Sequence, residues 1–302
     1  MFFVYTLLVV FLIPNLAYAW GPGTHLEIAL YAIAHAPVVL PVIRKLLAKH
    51  PEEFIYGSVS PDIVQGKKYA GYIHHCHNWN VAKVILEEAK SEKEKAAAYG
   101  YLTHLAADCV AHNYFVPYKM IHSFPNLTLG HIYWEMRFDL RVPDEAWKHL
   151  PKVIRHSYND FDHLLERVLK RTLFSFKMNK NIFNSILILQ KMKRMRKMLK
   201  RYERASRWAL TEDAASHFKK LVFKTVLDFL EHGEKAECFL ADPSGMRKLS
   251  YAKSMRRRMR RLKNRGKLNQ SRSDEIIRIM QKGLLTSLFD SKMALPGLEE
   301  LL

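Results

Sequence analysis

Three polar side chains share one face of a predicted helix that is otherwise apolar. His104, Asp108 and His112 follow one another at intervals of four residues, and each step of four advances only about 40° around a helix axis. Segment 96–118 contains no lysine or arginine, and Asp108 is its only acid. A buried carboxylate requires a cation or strong hydrogen bonds. The stripe therefore predicts either a zinc site of imidazole and carboxylate ligands or a polar network, in the core or facing solvent.

A second pair of the same kind, His131 and Glu135, stands four residues apart on another predicted helix. Alone this pair is weak evidence, because such pairs are common on solvated helix faces. Segment 57–79 adds one acid and three histidines: Asp62, His74, His75 and His77. Together these side chains outnumber the four ligands of one tetrahedral zinc. The sequence therefore predicts more than one metal ion.

The first 19 residues contain no charged side chain and end in an Ala-x-Ala pattern at 17–19. Residues 1–19 are therefore expected to be a signal peptide, cleaved at that point. An uncleaved anchor is the alternative, although the apolar run is shorter than the ~20 residues of a spanning helix. After cleavage the chain would begin at Trp20, whose α-amine can bind a metal, with His25 five residues later. The simpler alternative is that small residues merely follow a signal cut and that Thr24 caps a helix.

Apolar residues recur at intervals of three and four almost throughout the chain, which predicts an all-α protein. The expected helices are 24–35, 38–50, 80–92, 94–115, 128–141, 160–175, 183–208, 213–233, 246–264 and 273–289. Thr24 and Ser273 are the expected N-caps, and Pro51, Pro117 and Pro143 are expected to mark breaks between helices. Segment 57–79 has no clear period and is expected to be a long functional loop.

Charge and histidine are unevenly distributed along the chain. The net charge is +19 at pH 7, with 13 basic and 13 acidic residues in 1–150 but 35 basic and 16 acidic residues in 151–302. Histidine shows the opposite trend, with 11 of 15 at or before His149. The three cysteines allow at most one disulfide, which excludes a disulfide scaffold. These patterns predict a histidine-rich first half and a basic second half with separate roles.

Two segments of the second half, 191–208 and 253–265, are predicted to be strongly basic helices. In the latter, Met255, Met259 and Leu262 form a narrow apolar stripe among cations. Such a stripe suits the surface of an anionic membrane, and the charge also suits the phosphate backbone of a nucleic acid. Alternatively, the methionines of the first segment face a helical core and the charges are merely solvated.

This set of motifs resembles the zinc-dependent phospholipase C family and the fungal single-strand nucleases that share its fold, over about residues 20–140. The matching residues are Trp20, Thr24-His25, Asp62, His77 in HNW, His104 with Asp108, and His131 with Glu135. The resemblance implies a multi-helix bundle that encloses a trinuclear zinc site, with an additional basic helical C-terminal region. The three ligand sets that it implies are Asp62, His77, His104 and Asp108; Trp20, His25 and the bridging Asp108; and His112, His131 and Glu135. It also implies that Asp62 is the general base.

Two departures from the family pattern leave alternatives open. The spacer from Asp108 to the next histidine is shorter than in the secreted phospholipases of the family, so His122 remains an alternative to His112. The assignment of His77 rests on the aromatic residue that follows it in HNW. The two preceding histidines remain alternatives there: His74 and His75.

The implied chemistry is zinc-dependent hydrolysis of a phosphodiester by an activated water. Cleavage of glycerophospholipid headgroups is the leading hypothesis; a single-strand-specific zinc nuclease and a non-catalytic, metal-stabilised membrane-binding protein are the alternatives. Residues 20–145 are expected to form the catalytic core, and 146–302 a basic helical region of unassigned function, for which membrane association is the hypothesis. We expect an exported protein, periplasmic or secreted, whose partner is a phospholipid surface rich in anionic lipid; nucleic acid is second, and no protein partner is predicted.

Overall fold

The computed structural model describes residues 20–64, 75–155, 157–169, 174–204 and 206–301. Helices and no strand make up the regular structure of these ranges, so the predicted all-α helical bundle is confirmed. The expected signal peptide, 1–19, lies outside the described residues, and so does His74. Within the described ranges, no helix combines the length and the apolar character that crossing a bilayer requires.

The α-helices are α1 Pro22–Ala34, α2 Pro41–Lys49, α3 Pro51–Val59, α4 Trp79–Glu88, α5 Glu92–Val110, α6 Val116–His122, α7 His131–Asp139, α8 Asp144–Trp147, α9 Leu150–Arg155, α10 Asn159–Val168, α11 Phe176–Lys191, α12 Lys193–Arg204, α13 Glu212–His232, α14 Met246–Asn264 and α15 Gln270–Thr286. A π turn, Ala111–Phe115, joins α5 to α6. The 3₁₀ turns are Ala36–Val38, Ser60–Asp62, Gly233–Lys235, Glu237–Leu240 and Glu299–Leu301. Two predicted helices, 213–233 and 246–264, are found within one residue of their expected bounds.

The prediction of a long loop over 57–79 is wrong for the first part of that segment. Helix α3 extends to Val59, and the 3₁₀ turn that follows it ends at Asp62. Pro51 marks the expected break, since α2 ends at Lys49 and Pro51 begins α3, where the missing N–H of proline costs nothing. Pro143 likewise lies between α7 and α8. The apolar residues of α3 show no clear helical period, because the helix is buried on most sides and carries Gly57 in its last turn.

A close crossing of α3 and α5 brings main chain against main chain. A Cβ atom on Gly57 would lie 1.8 Å from the carbonyl oxygen of Ala97, and one on Gly100 would lie 2.1 Å from that of Phe54. Only glycine at both positions permits this approach. The crossing places the C-terminal end of α3 beside the middle of α5, where His104 lies.

Pro117 does not interrupt the central helix as expected. The helix continues through the π turn into α6, and the N–H of Val116 bonds to the carbonyl of Ala111 five residues earlier. The wider π turn accommodates a proline that an α-helical interior would exclude. His112 lies within this turn.

The expected N-caps Thr24 and Ser273 are also wrong. Helix α1 already begins at Pro22, so Thr24 lies in its first turn. Helix α15 follows Asn269, whose side chain accepts a hydrogen bond from the main-chain N–H of Arg272 at 2.9 Å. Both helices begin with residues that favour helix starts but lie outside the apolar period.

The methionines of the two basic segments differ in exposure; Met192 and Met198 contradict the core-facing alternative, and Met255 and Met259 contradict the membrane-facing stripe. The expected helix 183–208 is divided at Met192 into α11 and α12, and Met192 and Met198 are 44% and 56% exposed instead of facing a core. In α14, by contrast, Met255 and Met259 are buried where the helix packs on α6 and the π turn. The stripe within 253–265 is therefore core packing, and its interpretation as a membrane-facing stripe is wrong.

One connected cluster of buried apolar side chains extends from Trp20 to Leu298. It includes residues from both sides of the expected boundary at 145/146; for example, the rings of Phe115 and Phe218 are 4.8 Å apart. The assignment of separate roles to the two parts stays a prediction. Structurally, however, the two parts pack on each other.

Candidate metal centre

Asp108 lies at the centre of a buried group of imidazoles. Its Oδ2 atom is 3.0 Å from Nε2 of His77 and 3.2 Å from Nε2 of His104, and its Oδ1 atom is 3.3 Å from Nε2 of His25. The Nε2 atoms of His77 and His104 are 3.1 Å apart. Ligand atoms bound tetrahedrally to one zinc lie about 3.3 Å from each other, given bonds of about 2.0–2.1 Å. The spacing around Asp108 therefore fits a zinc ion.

Asp62 joins the same group from the 3₁₀ turn after α3. Its Oδ1 atom is 3.6 Å from Nε2 of His77. Ligand atoms of His25, Asp62 and His104 converge within 4.8 Å of one another, and those of His77, His104 and Asp108 do the same. The fold thus brings together all four side chains of the first expected zinc site, and it places His25 beside them.

A second group combines a histidine of the π turn after α5 with two side chains of α7. Ligand atoms of His112, His131 and Glu135 converge within 4.8 Å; Nε2 of His112 is 3.7 Å from Oε1 of Glu135, which His131 also contacts. Nδ1 of His112 is 3.9 Å from Oδ2 of Asp108, so the two groups adjoin. His122, the alternative to His112, lies in none of the convergent groups of the described residues, and its ring packs edge-on against Trp208 at 5.5 Å.

The loop histidines have different roles in the structure. His77 directs Nε2 at Asp108, whereas Nδ1 of His75 accepts a hydrogen bond from the main-chain N–H of His77 at 3.1 Å. His75 and His77 also form a convergent group with Cys76. The geometry therefore favours His77 as the ligand of the Asp108 group.

Trp20 is fully buried at the start of α1. Its indole lies 4.1 Å from the ring of Phe138 and 5.7 Å from that of Phe115. These contacts fix the main chain just before the first turn of α1, which carries His25. Its role as a metal ligand through the α-amine stays a prediction.

The electrostatics of the two groups favour a bound cation. Both oxygens of Asp108, both of Glu135 and both ring nitrogens of His25 are buried and make no well-directed hydrogen bond to any described residue. Burial raises the pKa of Glu135 well above its usual range, against the opposing effect of His112. Burial also acts to raise the pKa of Asp108, but His104 and His112 outweigh it and hold that pKa well below its usual range. Buried lone pairs of this kind are the donor set that zinc binds.

The ring of His104 is held in the orientation that a ligand requires. Its Nδ1 atom lies 2.8 Å from the carbonyl oxygen of Ser58, at the end of α3. A carbonyl only accepts, so Nδ1 carries the proton and Nε2 presents its lone pair to the Asp108 group. The ring of His25 stacks on that of His104 at 3.6 Å. Burial lowers the pKa of His25, which favours the neutral imidazole that binds metal.

Asp139 is not among the candidate residues predicted from the sequence, although it lies four residues after Glu135 on the same helix. Its buried carboxylate accepts hydrogen bonds from the main-chain N–H of Gly23 at 3.2 Å and from the N–H and hydroxyl of Thr24, both at 2.7 Å. The first N–H groups of a helix have no partner within it, so Asp139 caps α1 from a distant helix. Burial raises the pKa of Asp139 to about 6 despite these hydrogen bonds. The cap fixes the turn that carries His25.

Replacing Asp139 by Asn is expected to lower the free energy of unfolding by about 1–3 kcal/mol, because one carboxylate oxygen becomes an NH₂ group that faces N–H donors. Urea unfolding of the metal-free protein measures this loss. Asp160→Asn, at an exposed position, is the matched control and should leave the midpoint unchanged. Equal midpoints for both variants would contradict the capping role.

More than half of the chain matches a known protein family. A family model described as zinc dependent phospholipase C matches residues 24–182. Neither the curated proteins nor the solved structures include a match to the chain. The matched segment contains both convergent groups around Asp108 and Glu135, and it ends within α11.

Proposed function

Because the chain belongs to the zinc-dependent phospholipase C family, a family of phosphodiester hydrolases, we propose that it cleaves glycerophospholipid headgroups and releases diacylglycerol. The observation that carries this proposal is the pair of adjoining ligand groups, one around Asp108 and one around Glu135. A structural zinc site is typically single, closed and rich in cysteine. Two adjoining groups of histidine and carboxylate ligands are instead suited to catalysis on a phosphate.

The side chains have separate tasks in the proposed reaction. The proposed ligand sets are Asp62, His77, His104 and Asp108; Trp20, His25 and Asp108; and His112, His131 and Glu135. When bound, zinc supplies a Lewis acid that withdraws charge from phosphate oxygens and makes water a stronger nucleophile. Asp62 accepts the proton of the attacking water, as the family resemblance implies. Ser58 holds the Nδ1 proton of His104, so that this ring keeps its lone pair directed into the site.

The proposed membrane contact is the outer face of α12 and the end of α11. Met192 and Met198 are exposed there among the exposed cations Lys191, Arg194, Lys197 and Arg201. Arg196 anchors the helix from its inner face, since it donates to Asp144 at 2.7 Å and to the carbonyl of Val142 at 2.9 Å. An anchored helix with exposed methionines and cations suits an anionic lipid surface, where each cation contributes about 1 kcal/mol.

The test uses protein that begins at Trp20, loaded with zinc and assayed on three substrates. These are neutral phosphatidylcholine vesicles, the same vesicles with anionic lipid, and single-stranded DNA. We expect diacylglycerol release that is faster on anionic vesicles and slower at high salt. Nucleotide release without diacylglycerol would assign the chain to the nuclease alternative, for which the net charge of +19 is also suitable. Vesicle binding without turnover would favour the non-catalytic alternative.

Charge reversal separates membrane contact from chemistry. Lys197→Glu combined with Arg201→Glu should weaken binding to anionic vesicles but leave hydrolysis of a soluble short-chain phospholipid unchanged. Arg44→Glu combined with Lys45→Glu, also at exposed positions of a helix, is the matched control. Equal vesicle binding by the two double variants would overturn the assignment of the membrane face to α12.

A further inference from the structure

The loop 241–245, which joins the 3₁₀ turn at Glu237–Leu240 to α14, lies against the π turn that carries His112. Three hydrogen bonds hold it there. Nε1 of Trp79 donates to the carbonyl of Ala241 at 2.9 Å, Nδ2 of Asn113 donates to that of Asp242 at 2.8 Å, and Nδ1 of His112 donates to that of Pro243 at 2.6 Å. The loop lies beyond the segment that the family model matches. It is nevertheless in direct contact with a proposed ligand.

The contact with Pro243 determines which nitrogen of His112 carries the proton. A carbonyl oxygen has no proton to give, so Nδ1 of His112 must be protonated. The lone pair of the neutral ring is then on Nε2, the atom that lies 3.7 Å from Oε1 of Glu135. Metal-binding histidines generally have a hydrogen-bond partner on the nitrogen that does not bind the metal. This partner fixes the tautomer and the orientation of the ring.

The loop is built to hold this position. Oδ1 of Asp242 accepts hydrogen bonds from the main-chain N–H of Ser244 at 2.9 Å and from its hydroxyl at 2.8 Å, which closes a tight turn. Gly245 follows with φ +57°, in the left-handed region. A Cβ atom there would lie 2.4 Å from Cβ of His112 and 2.5 Å from its carbonyl oxygen. Gly245 is therefore required both by its backbone conformation and by its closeness to His112.

The same loop also contacts the segment that carries His77, a proposed ligand of the other group. Trp79, which donates to Ala241, is two residues after His77, and its ring stacks on that of Phe239 at 4.2 Å. The aromatic residue of HNW thus fixes the segment of His77 against the C-terminal part of the chain.

We propose that loop 241–245 is a positioning element of the metal centre, which orients His112 for zinc and makes the C-terminal part of the chain necessary for a complete site. This inference rests on the proposed role of His112 as a ligand. Loss of the loop contact should weaken the zinc site formed by His112, His131 and Glu135 by about 10- to 100-fold, the usual effect of losing the partner of a ligand.

The test compares Gly245→Ala with Gly266→Ala. Both positions have positive φ, but a Cβ on Gly266 has no atom within 4 Å. Both variants therefore carry backbone strain, and only Gly245→Ala displaces the loop from His112. Zinc affinity is measured by competition with a chromophoric chelator, and the zinc content after dialysis by mass spectrometry. We expect the weakest-bound zinc to be lost from Gly245→Ala alone; equal affinity and content in the two variants would overturn the proposal.

A spectroscopic measurement adds a readout that is independent of zinc. The ¹⁵N shifts of His112 in the metal-free protein report its tautomer, and they should show the proton on Nδ1 in the unsubstituted chain and a mixture in Gly245→Ala. If Gly245→Ala does not fold, Trp79→Phe removes the donor to Ala241 and keeps an aromatic ring, and a lower zinc affinity is again expected. Unchanged affinity there would overturn the proposal. Because neither readout uses a substrate, failure of the phospholipase assay would leave this result intact.

Discussion

Asp108→Asn is expected to reduce phosphodiesterase activity by more than about 100-fold and to lower the number of zinc ions that the protein retains. Loss of an outer partner of a metal ligand typically costs about 10- to 100-fold, and Asp108 is placed as a ligand itself. Its two oxygens are within 3.3 Å of three imidazoles: His77, His104 and His25. An asparagine offers one oxygen and directs an NH₂ group into the same space.

The matched control for this substitution is again Asp160→Asn, at an exposed position in α10. Diacylglycerol release, zinc content and the far-ultraviolet circular dichroism spectrum are measured for both variants. The control should match the unsubstituted protein in all three. Full zinc content with full activity in Asp108→Asn would show that Asp108 is not a ligand.

Removal of zinc with EDTA is expected to lower the Tm by about 10 °C. A ligand that binds only the folded state at about 1,000 times its Kd stabilises that state by about 4 kcal/mol, and each kcal/mol moves the Tm of a chain of this size by a few degrees. Without zinc, the buried oxygens of Asp108 and Glu135 make no well-directed hydrogen bond to any described residue, so the folded state loses the compensation that the metal supplies.

Calorimetry in zinc-containing and EDTA-containing buffer measures this difference. Asp108→Asn is the informative comparison, because a variant that has already lost its zinc should respond much less to the chelator. The same Tm with and without EDTA in the unsubstituted protein would mean that the convergent groups do not hold zinc in the folded state.

The ligands on α5 and α7 could be predicted because helical spacing is a local property. His104, Asp108 and His112 are close in space because a helix places residues four positions apart on the same face. The same reasoning would have found Asp139, four residues beyond Glu135, if the stripe on α7 had been extended by one turn.

The rest depends on tertiary contacts, which a single sequence does not show. Nothing near Pro243 or Gly245 indicates that the loop lies on His112, because the two segments are more than a hundred residues apart. Likewise, the apolar stripe of α14 indicates a buried face but not what covers it. Protein packs over Met255 and Met259, whereas Met192 and Met198 are exposed.

The hydrogen bond between His112 and Pro243 joins residues that are 131 positions apart. During synthesis, His112 leaves the ribosome long before the segment that orients it. Contacts of such long sequence separation are slow to form, because closing the intervening chain costs entropy. The proposed site of His112, His131 and Glu135 is therefore expected to mature after the proposed site around Asp108, and a chain interrupted before residue 241 would contain the family-matched segment without a fully ordered metal centre.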